Sequence, residues 1–182
     1  MDIYGAIEKR RTIRVYQKGA TKKQLEKVIL AGTKAPSGGN RQNWEFILID
    51  DPKIIDQLGE IKYRLNRTFT PDAGETRKDV ENRALFQKKS FERASIVAVC
   101  SSRGQTVNGW LCVENMSLAA VAEGLGTGIV SYWDDAQKEA EKVLGIPKKF
   151  ELVCVLKIGA PGELPGPRKL RPKASWLHRN KF

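Results

Sequence analysis

Three arginines near the start of the chain have the chemistry to bind an anion. Arg10, Arg11 and Arg14 lie in the segment EKRRTIR, and their spacing lets them face one object from a turn. A guanidinium group suits phosphate because it can present two N–H donors to two oxygens at once. A solvated basic turn would have the same residues, so this segment alone does not distinguish a phosphate site from a surface turn.

A second candidate is the segment APSGGNRQNWEF, which follows a predicted helix. Gly38 and Gly39 let the backbone approach a flat ligand without a side chain in the way. Pro36 limits the freedom of the chain, and Ser37 and Asn40 can donate or accept hydrogen bonds along a polar edge. Taken alone, these residues are equally typical of a loop at the end of a helix.

The third candidate is the basic tail segment PRKLRPK, residues 167–173. The formal net charge of the chain is +11, and residues 1–23 and 163–182 account for +5 each. A uniformly basic surface would favour nonspecific nucleic-acid binding. Two basic ends instead favour convergence on a single anionic group, although a disordered basic tail is the alternative.

Several common kinds of active site are disfavoured. His178 is the only histidine, which argues against histidine triads and multi-histidine metal sites. Cys100, Cys112 and Cys154 have no C-x-x-C spacing and lie in apolar segments. The sequence GLGTG at 124–128 follows a helix, so it predicts helix termination and a tight turn, not a phosphate loop. We therefore expect no catalytic side chain and no metal, and an enzyme of this kind would need a cofactor for its chemistry.

These segments must be positioned by helices and strands that mix without a regular βαβ rhythm. The periodicity predicts an α+β or three-layer α/β/α domain spanning residues 1–182. Neither a signal peptide nor a membrane-spanning run is recognisable, which predicts a cytoplasmic protein. Helices are predicted over 2–10, 21–32, 52–65, 77–92, 108–125 and 135–144, and strands over 44–49, 94–101, 127–131 and 151–158.

Two of these helices have a predicted role beyond the core. The helix over 108–125 is apolar on nearly every face, which is typical of a core helix or of a large interface. The charged helix over 77–92 is either a mobile lid or a solvated surface helix, and the sequence leaves both possibilities open.

Together, the three segments resemble the FMN-dependent nitroreductase family. The resemblance depends on RRTIR, APSGGNRQNWEF, AEGLGTG and a basic R-x-x-R-P near the end, in this order along nearly the whole chain. It implies a mixed, mainly antiparallel sheet flanked by helices. It also implies a homodimer with two FMN molecules at the interface, where the helix over 108–125 would be buried.

The resemblance implies an FMN site built from both subunits. Arg10 would bind the phosphate, and Arg14 would lie near N1 and O2 of the isoalloxazine ring. The loop from Pro36 to Asn40 would reach the flavin from the other subunit. The implied cofactor-binding residues are Arg10, Arg11, Thr12, Arg14, Pro36, Ser37, Gly38, Asn40, Lys169 and Arg171.

The chain departs from the family pattern in two places. Asn43 stands where the family usually has proline between glutamine and tryptophan, which predicts a slightly freer turn. Residues 60–92 match weakly, so the central FMN contacts are not placed, although Gln87 and Ser90 lie near them.

The implied activity is a two-step relay in which NADH or NADPH reduces the flavin at N5 and a small-molecule acceptor then reoxidises it. Nitroaromatics and quinones are generic acceptors for such sites. Two alternatives stay open at this point. One is a basic module that binds nucleic acid, and the other is a flavoprotein of the same fold with a different role, such as reductive dehalogenation or flavin storage.

Overall fold

A computed structural model describes residues 1–181 of the chain. The helices of this part are α1 (Ile3–Lys9), α2 (Lys22–Gly32), α3 (Pro52–Arg67), α4 (Arg77–Lys89), α5 (Thr106–Ala122) and α6 (Asp134–Val143). The strands are β1 (Tyr16–Gly19), β2 (Trp44–Ile49), β3 (Ser95–Ser102), β4 (Gly126–Val130) and β5 (Phe150–Pro161). Short 3-10 turns occupy Gly38–Asn40 and Lys173–Ser175.

The five strands form one sheet centred on β5. β3 pairs along one edge of β5 and joins it to β2, while β4 and β1 pair in succession along the other edge. These four ladders are antiparallel, and an isolated parallel bridge joins Thr12 to Thr127. The expected α+β fold with a mixed, mainly antiparallel sheet is therefore confirmed.

Helices cover both faces of the sheet because the side chains of β3 alternate between two apolar cores. Val97 and Val99 pack with residues of α2 and α5, while Ile96 and Ala98 pack with residues of α3 and α6. All four side chains are fully buried. Burying a valine- or isoleucine-sized side chain contributes about 1.5–3 kcal/mol, so the two cores hold the three layers together.

The sequence did not predict β1, and it placed the ends of α5 too far along the chain. β1 has only four residues and no long alternating pattern, and its pairing with Gly159–Pro161 of β5 involves residues far away in the sequence. α5 ends at Ala122, and Gly124 follows with φ of 75°. Because glycine tolerates positive φ, this confirms that the GLGTG segment terminates a helix.

α4 packs firmly on α3, which bears on the question of a lid. Val80 and Ala84 are buried, and the Lys88 ammonium lies 2.8 Å from the Glu60 carboxylate of α3. These contacts favour a packed helix over a mobile one. Among residues 1–181, no helix combines the length and the apolar character needed to cross a bilayer.

Candidate functional site

The arginine turn begins where α1 ends, and Arg11 closes that helix. Its Nη1 donates to the carbonyl oxygens of Glu8 at 2.5 Å and Arg10 at 2.9 Å. The last carbonyls of a helix have no partner within the helix, so this side chain satisfies two of them. The Arg11 Nε is buried without a hydrogen-bond partner, which leaves a donor at the turn for a bound group.

Arg10 is the more available guanidinium. Its side chain is 28% exposed, and its Nε lies 3.9 Å from a carboxylate oxygen of Glu114 on α5. Ion pairs of this length near the surface contribute about 0–1 kcal/mol. Competition with Glu114 for this side chain would therefore cost an anion at the turn little binding free energy.

The basic tail lies against the arginine turn. Arg168 Nη2 donates to the carbonyl oxygens of Arg10 at 2.7 Å and Ile7 at 3.2 Å. Lys169 and Arg171 follow with exposed side chains. The two basic ends of the chain thus meet, with Arg168 as the anchoring residue that the sequence did not single out.

A carboxylate fixes the other side of the turn. Glu163 accepts hydrogen bonds from the backbone N–H groups of Arg14 at 2.5 Å and Val15 at 3.3 Å. This contact joins residues 149 positions apart, so no local pattern in the sequence indicated it. It holds the start of the tail beside the turn.

The Arg14 side chain lines a cavity of about 260 Å³. Lys89 and Ser90 line it from the end of α4, and Tyr16 lines it from β1. Ser90, which the sequence placed near the central contacts, therefore shares a cavity with Arg14. The lining carries three cationic residues, Arg14, Lys89 and Arg93, and one acidic residue, Glu92, so the cavity has a net positive charge.

The turn lies directly on β4, and glycine makes this approach possible. The Ile13 N–H donates to the carbonyl oxygen of Thr127 at 2.8 Å, and Thr12 beside it is exposed. A Cβ atom on Gly128 would lie 2.4 Å from the Ile13 carbonyl oxygen. The glycines of the GLGTG segment thus make room for the arginine turn.

Lys157 is a buried lysine that the sequence analysis missed. It lies on β5, is 1% exposed, and donates a hydrogen bond to Ser90 Oγ. Burial is the main cause that lowers its pKa to about 7, and the nearby charges of Arg14 and Lys62 contribute to this shift. A single lysine inside the apolar run ELVCVLKI was the available signal.

A second buried lysine, Lys62 of α3, lies at the end of β4. Its ammonium donates to the Ser131 carbonyl oxygen at 3.0 Å and lies 4.4 Å from the centre of the Trp133 ring. Burial lowers its pKa to about 8. Phe69 stacks on Trp133 with ring centres 5.6 Å apart, which gives a half-exposed aromatic surface beside the cation.

The glycine-rich loop is exposed and tightly turned. Gly39 and Asn40 have φ of 60° and 53°, and Ser37 Oγ accepts a hydrogen bond from the Gln42 N–H at 3.0 Å. A Cβ atom on Gly38 would meet nothing within 4 Å. Like Gly38, Pro36 and Asn40 are exposed, so this loop presents a free backbone surface.

Asn43 holds this loop to the start of α5. Its side-chain amide donates to Gln105 Oε1 at 2.6 Å and accepts from Asn108 Nδ2 at 2.8 Å. Its backbone carbonyl also accepts from the Ser102 N–H at 3.0 Å. These hydrogen bonds restrain the turn where the family usually has proline, and the expectation of a slightly freer turn stays a prediction.

The loop and the arginine turn contact different parts of α5. The loop is tied to Asn108, whereas Arg10 lies near Glu114, about 9 Å further along the helix axis. In residues 1–181, no hydrogen bond or ion pair links the loop to the turn. One chain thus presents two separate parts of the predicted site.

An apolar strip on α5 is exposed between these two parts. Val107 is 70% exposed, and Trp110 and Leu111 are 40% exposed. Ile3 and Tyr4 of α1 add further exposed apolar area. Side chains of this size rarely cluster on the surface of a monomer without a partner.

Within the described residues, no group of three or more histidine, cysteine or acidic side chains is arranged to hold a metal ion.

Comparison with known proteins shows which family this chain belongs to. The family model described as "Nitroreductase family" matches residues 7–160. Iodotyrosine deiodinase from Thermotoga neapolitana is 29% identical over 170 residues, which cover 88% of this chain and 89% of that protein.

Solved structures share the fold. A crystal structure of oxidised iodotyrosine deiodinase bound to FMN and 3-iodo-L-tyrosine superposes with a TM-score of 0.78 at 23% identity, covering 100% of both chains. An FMN-dependent nitroreductase from Clostridium difficile R20291 gives a TM-score of 0.76 at 22% identity, covering 98% of this chain and 99% of its own.

Proposed function

The chain belongs to the nitroreductase family, and from this we propose that it is an FMN-dependent oxidoreductase. It takes electrons from NADH or NADPH and passes them to a small-molecule acceptor such as a quinone or a nitroaromatic compound. The observation that carries the proposal is the meeting of the two basic ends, where Arg168 donates to the backbone of the arginine turn. This arrangement concentrates positive charge where a single phosphate would bind.

The residues present fit FMN. The unpartnered Nε of Arg11, the weakly paired Arg10 and the exposed side chains of Lys169 and Arg171 supply donors for a phosphate. The cavity lined by Arg14 supplies a basic edge for a flat ring. When bound, FMN would supply hydride chemistry at its N5 atom.

The protein's own part in the reaction is binding and electrostatics. Arg10 holds the phosphate, and Arg14 places a fixed positive charge at the edge of the cavity. A preorganised charge favours negative charge that develops on a ligand during reaction, and it needs no proton transfer by a side chain. Lys89 lines the same cavity and adds to this charge.

We further propose that the working unit is a homodimer. The exposed strip formed by Val107, Trp110 and Leu111 would be buried against a second copy. The partner's loop from Pro36 to Asn40 would then complete a site that one chain leaves divided. This follows the expectation from the sequence that α5 is an interface helix.

The visible spectrum of freshly purified protein tests this function. We expect flavin absorbance that bleaches when NADH or NADPH is added without oxygen and returns when a quinone is added. A colourless protein that does not bind added FMN would contradict the proposal. If that protein instead bound DNA with strong salt dependence, the nucleic-acid alternative would replace it.

A second candidate function is reductive dehalogenation. It is favoured by the 29% identical relative, which is named an iodotyrosine deiodinase. The reaction would replace a carbon–iodine bond by carbon–hydrogen, using two electrons and a proton and releasing iodide. Iodide release from 3-iodo-L-tyrosine with dithionite as reductant would select this chemistry, and bleaching by NADH with fast quinone turnover but no iodide would select the first.

A further inference from the structure

Lys157 lies directly beneath the cavity that Arg14 lines. Its ammonium donates to Ser90 Oγ, and Ser90 is itself part of the cavity wall. The Ser90 hydroxyl donates a hydrogen bond to the Gln87 carbonyl oxygen at 2.6 Å, so its oxygen is oriented to accept from the lysine. The Phe91 ring lies 5.5 Å from the ammonium and covers it from another side.

The charged groups around Lys157 are mostly positive. Arg14 faces it from the turn and Lys62 faces it from α3, and both disfavour its protonation. Glu163 favours protonation, but its carboxylate is already bound to two backbone N–H groups of the turn. The Tyr16 hydroxyl donates a hydrogen bond to the Ile13 carbonyl oxygen, and burial raises the pKa of Tyr16, so it stays neutral.

The residues at the end of α4 and just after it leave the charge around Lys157 positive. Lys89, Glu92 and Arg93 all line the same cavity, and together they add one further positive charge. A cation that is buried among cations lacks a counter-charge. An anion in the cavity would supply that counter-charge and would favour the protonated lysine.

Resting on the proposed function, we propose that Lys157 is a charge-compensating residue that gains a proton when the flavin in the Arg14 cavity is reduced to its anion. Reduction of a bound FMN to its anion would take up two electrons and one proton. A second proton, taken from solvent, converts the neutral amine of Lys157 to ammonium. No bond forms between the lysine and the flavin, and the complete change takes up two protons for two electrons.

The experiment measures the reduction potential of FMN-loaded protein at several pH values by spectroelectrochemistry with soluble mediators. The slope of the potential against pH reports the number of protons taken up for each two electrons. We expect the wild-type slope to correspond to about 1.5 protons near pH 7.5, because a rise of one pKa unit in Lys157 takes up about half a proton midway between its two pKa values. In Lys157→Met it should correspond to one, because the titrating group is gone.

Two further variants keep this test decisive. Lys157→Gln is polar and uncharged, so it gives the same reading should the methionine variant fail to fold. Lys148→Met removes an exposed lysine and should behave as wild type. Loss of Lys157 should also weaken binding of reduced FMN relative to oxidised FMN by roughly tenfold, the effect of coupling by one pKa unit.

A separate readout uses the protein without flavin. The pKa of Lys157 falls from its ordinary value of 10.5 to about 7 on folding, so between these values the unfolded chain binds more protons than the folded one. The melting temperature of the wild type should therefore rise over this pH range more than that of Lys157→Met.

The failures can be told apart. Equal proton uptake in the wild type and in both Lys157 variants would overturn this inference while leaving the flavin enzyme intact. Equal pH dependence of the flavin-free melting temperatures would overturn it as well. Failure of the wild type to bind FMN at all would overturn the proposed function and, with it, the inference.

Discussion

The arginine turn and the glycine-rich loop are both predicted to hold one cofactor, yet they are built differently. The turn is held by contacts that reach across the chain, from Glu163 and Arg168 in the tail and from Thr127 on β4. The loop is held at its base by Asn43, whose side chain bonds to Gln105 and Asn108 at the start of α5, 62 and 65 positions away. Long-range contacts within one chain are enough to form the turn. The loop exposes its backbone at a separate part of the surface.

This difference indicates what each part needs from a partner. The turn has donors and a cavity without any second chain. The loop has a free surface and makes no hydrogen bond or ion pair with the turn in the described part of the chain. A dimer that buries the strip on α5 would bring the two together, so the predictions below test the division of the site between chains.

The largest loss of FMN affinity should come from a substitution in the proposed dimer interface. Trp110→Asp would place a charge in an apolar contact, where an unpaired charge costs several kcal/mol. We expect the dimer to dissociate and FMN affinity to fall with it, although no residue of the turn has changed. Sedimentation velocity and flavin fluorescence measure the two effects.

The conservative variant Trp110→Phe is the control for this experiment, and it should keep both properties. A monomeric Trp110→Asp protein that holds FMN as tightly as wild type would show that the turn alone makes the site.

The next effect should come from the turn itself. Arg10→Ala should weaken FMN binding roughly 10- to 100-fold, because a charge-assisted hydrogen bond contributes about 1.5–3 kcal/mol. The melting temperature without flavin should change little, since the pair with Glu114 is long and partly exposed. Lys18→Ala removes the same charge from an exposed position on β1 and should bind FMN normally. An equal loss of melting temperature with and without FMN would argue against a binding role for Arg10.

The smallest loss of FMN affinity should come from a substitution at the base of the glycine-rich loop. Asn43→Ala removes two side-chain hydrogen bonds at a partly exposed site, at a cost of about 1 kcal/mol. Amide hydrogen exchange of residues 37–42 should quicken, while FMN affinity falls less than tenfold. Gln57→Ala, an exposed change on α3, should alter neither. Unchanged exchange in the Asn43 variant would show that the loop does not depend on that network.

Much of the fold could be predicted because its signals are local. The predicted helix over 21–32 matches α2 because a local capping box at Thr21 and Gln24 sets its start, and Gly124 follows the end of α5. β1 was missed because its four residues are defined by pairing with the end of β5, not by their own pattern. The site followed the same rule, since the arginines and glycines were visible as motifs, whereas the contacts that Glu163 and Arg168 make with the turn were not.

By itself, the sequence determined that two basic ends and a glycine-rich loop are the candidate binding elements, because residue type and spacing are written along the chain. Only the tertiary structure decided that the ends meet, that the loop stands apart from them, and that Lys157 lies buried beneath the cavity. The reason is physical. The sequence alone specifies that a position carries a guanidinium or an ammonium group, but the burial, the partners and the pKa of that group depend on side chains that folding brings from distant segments.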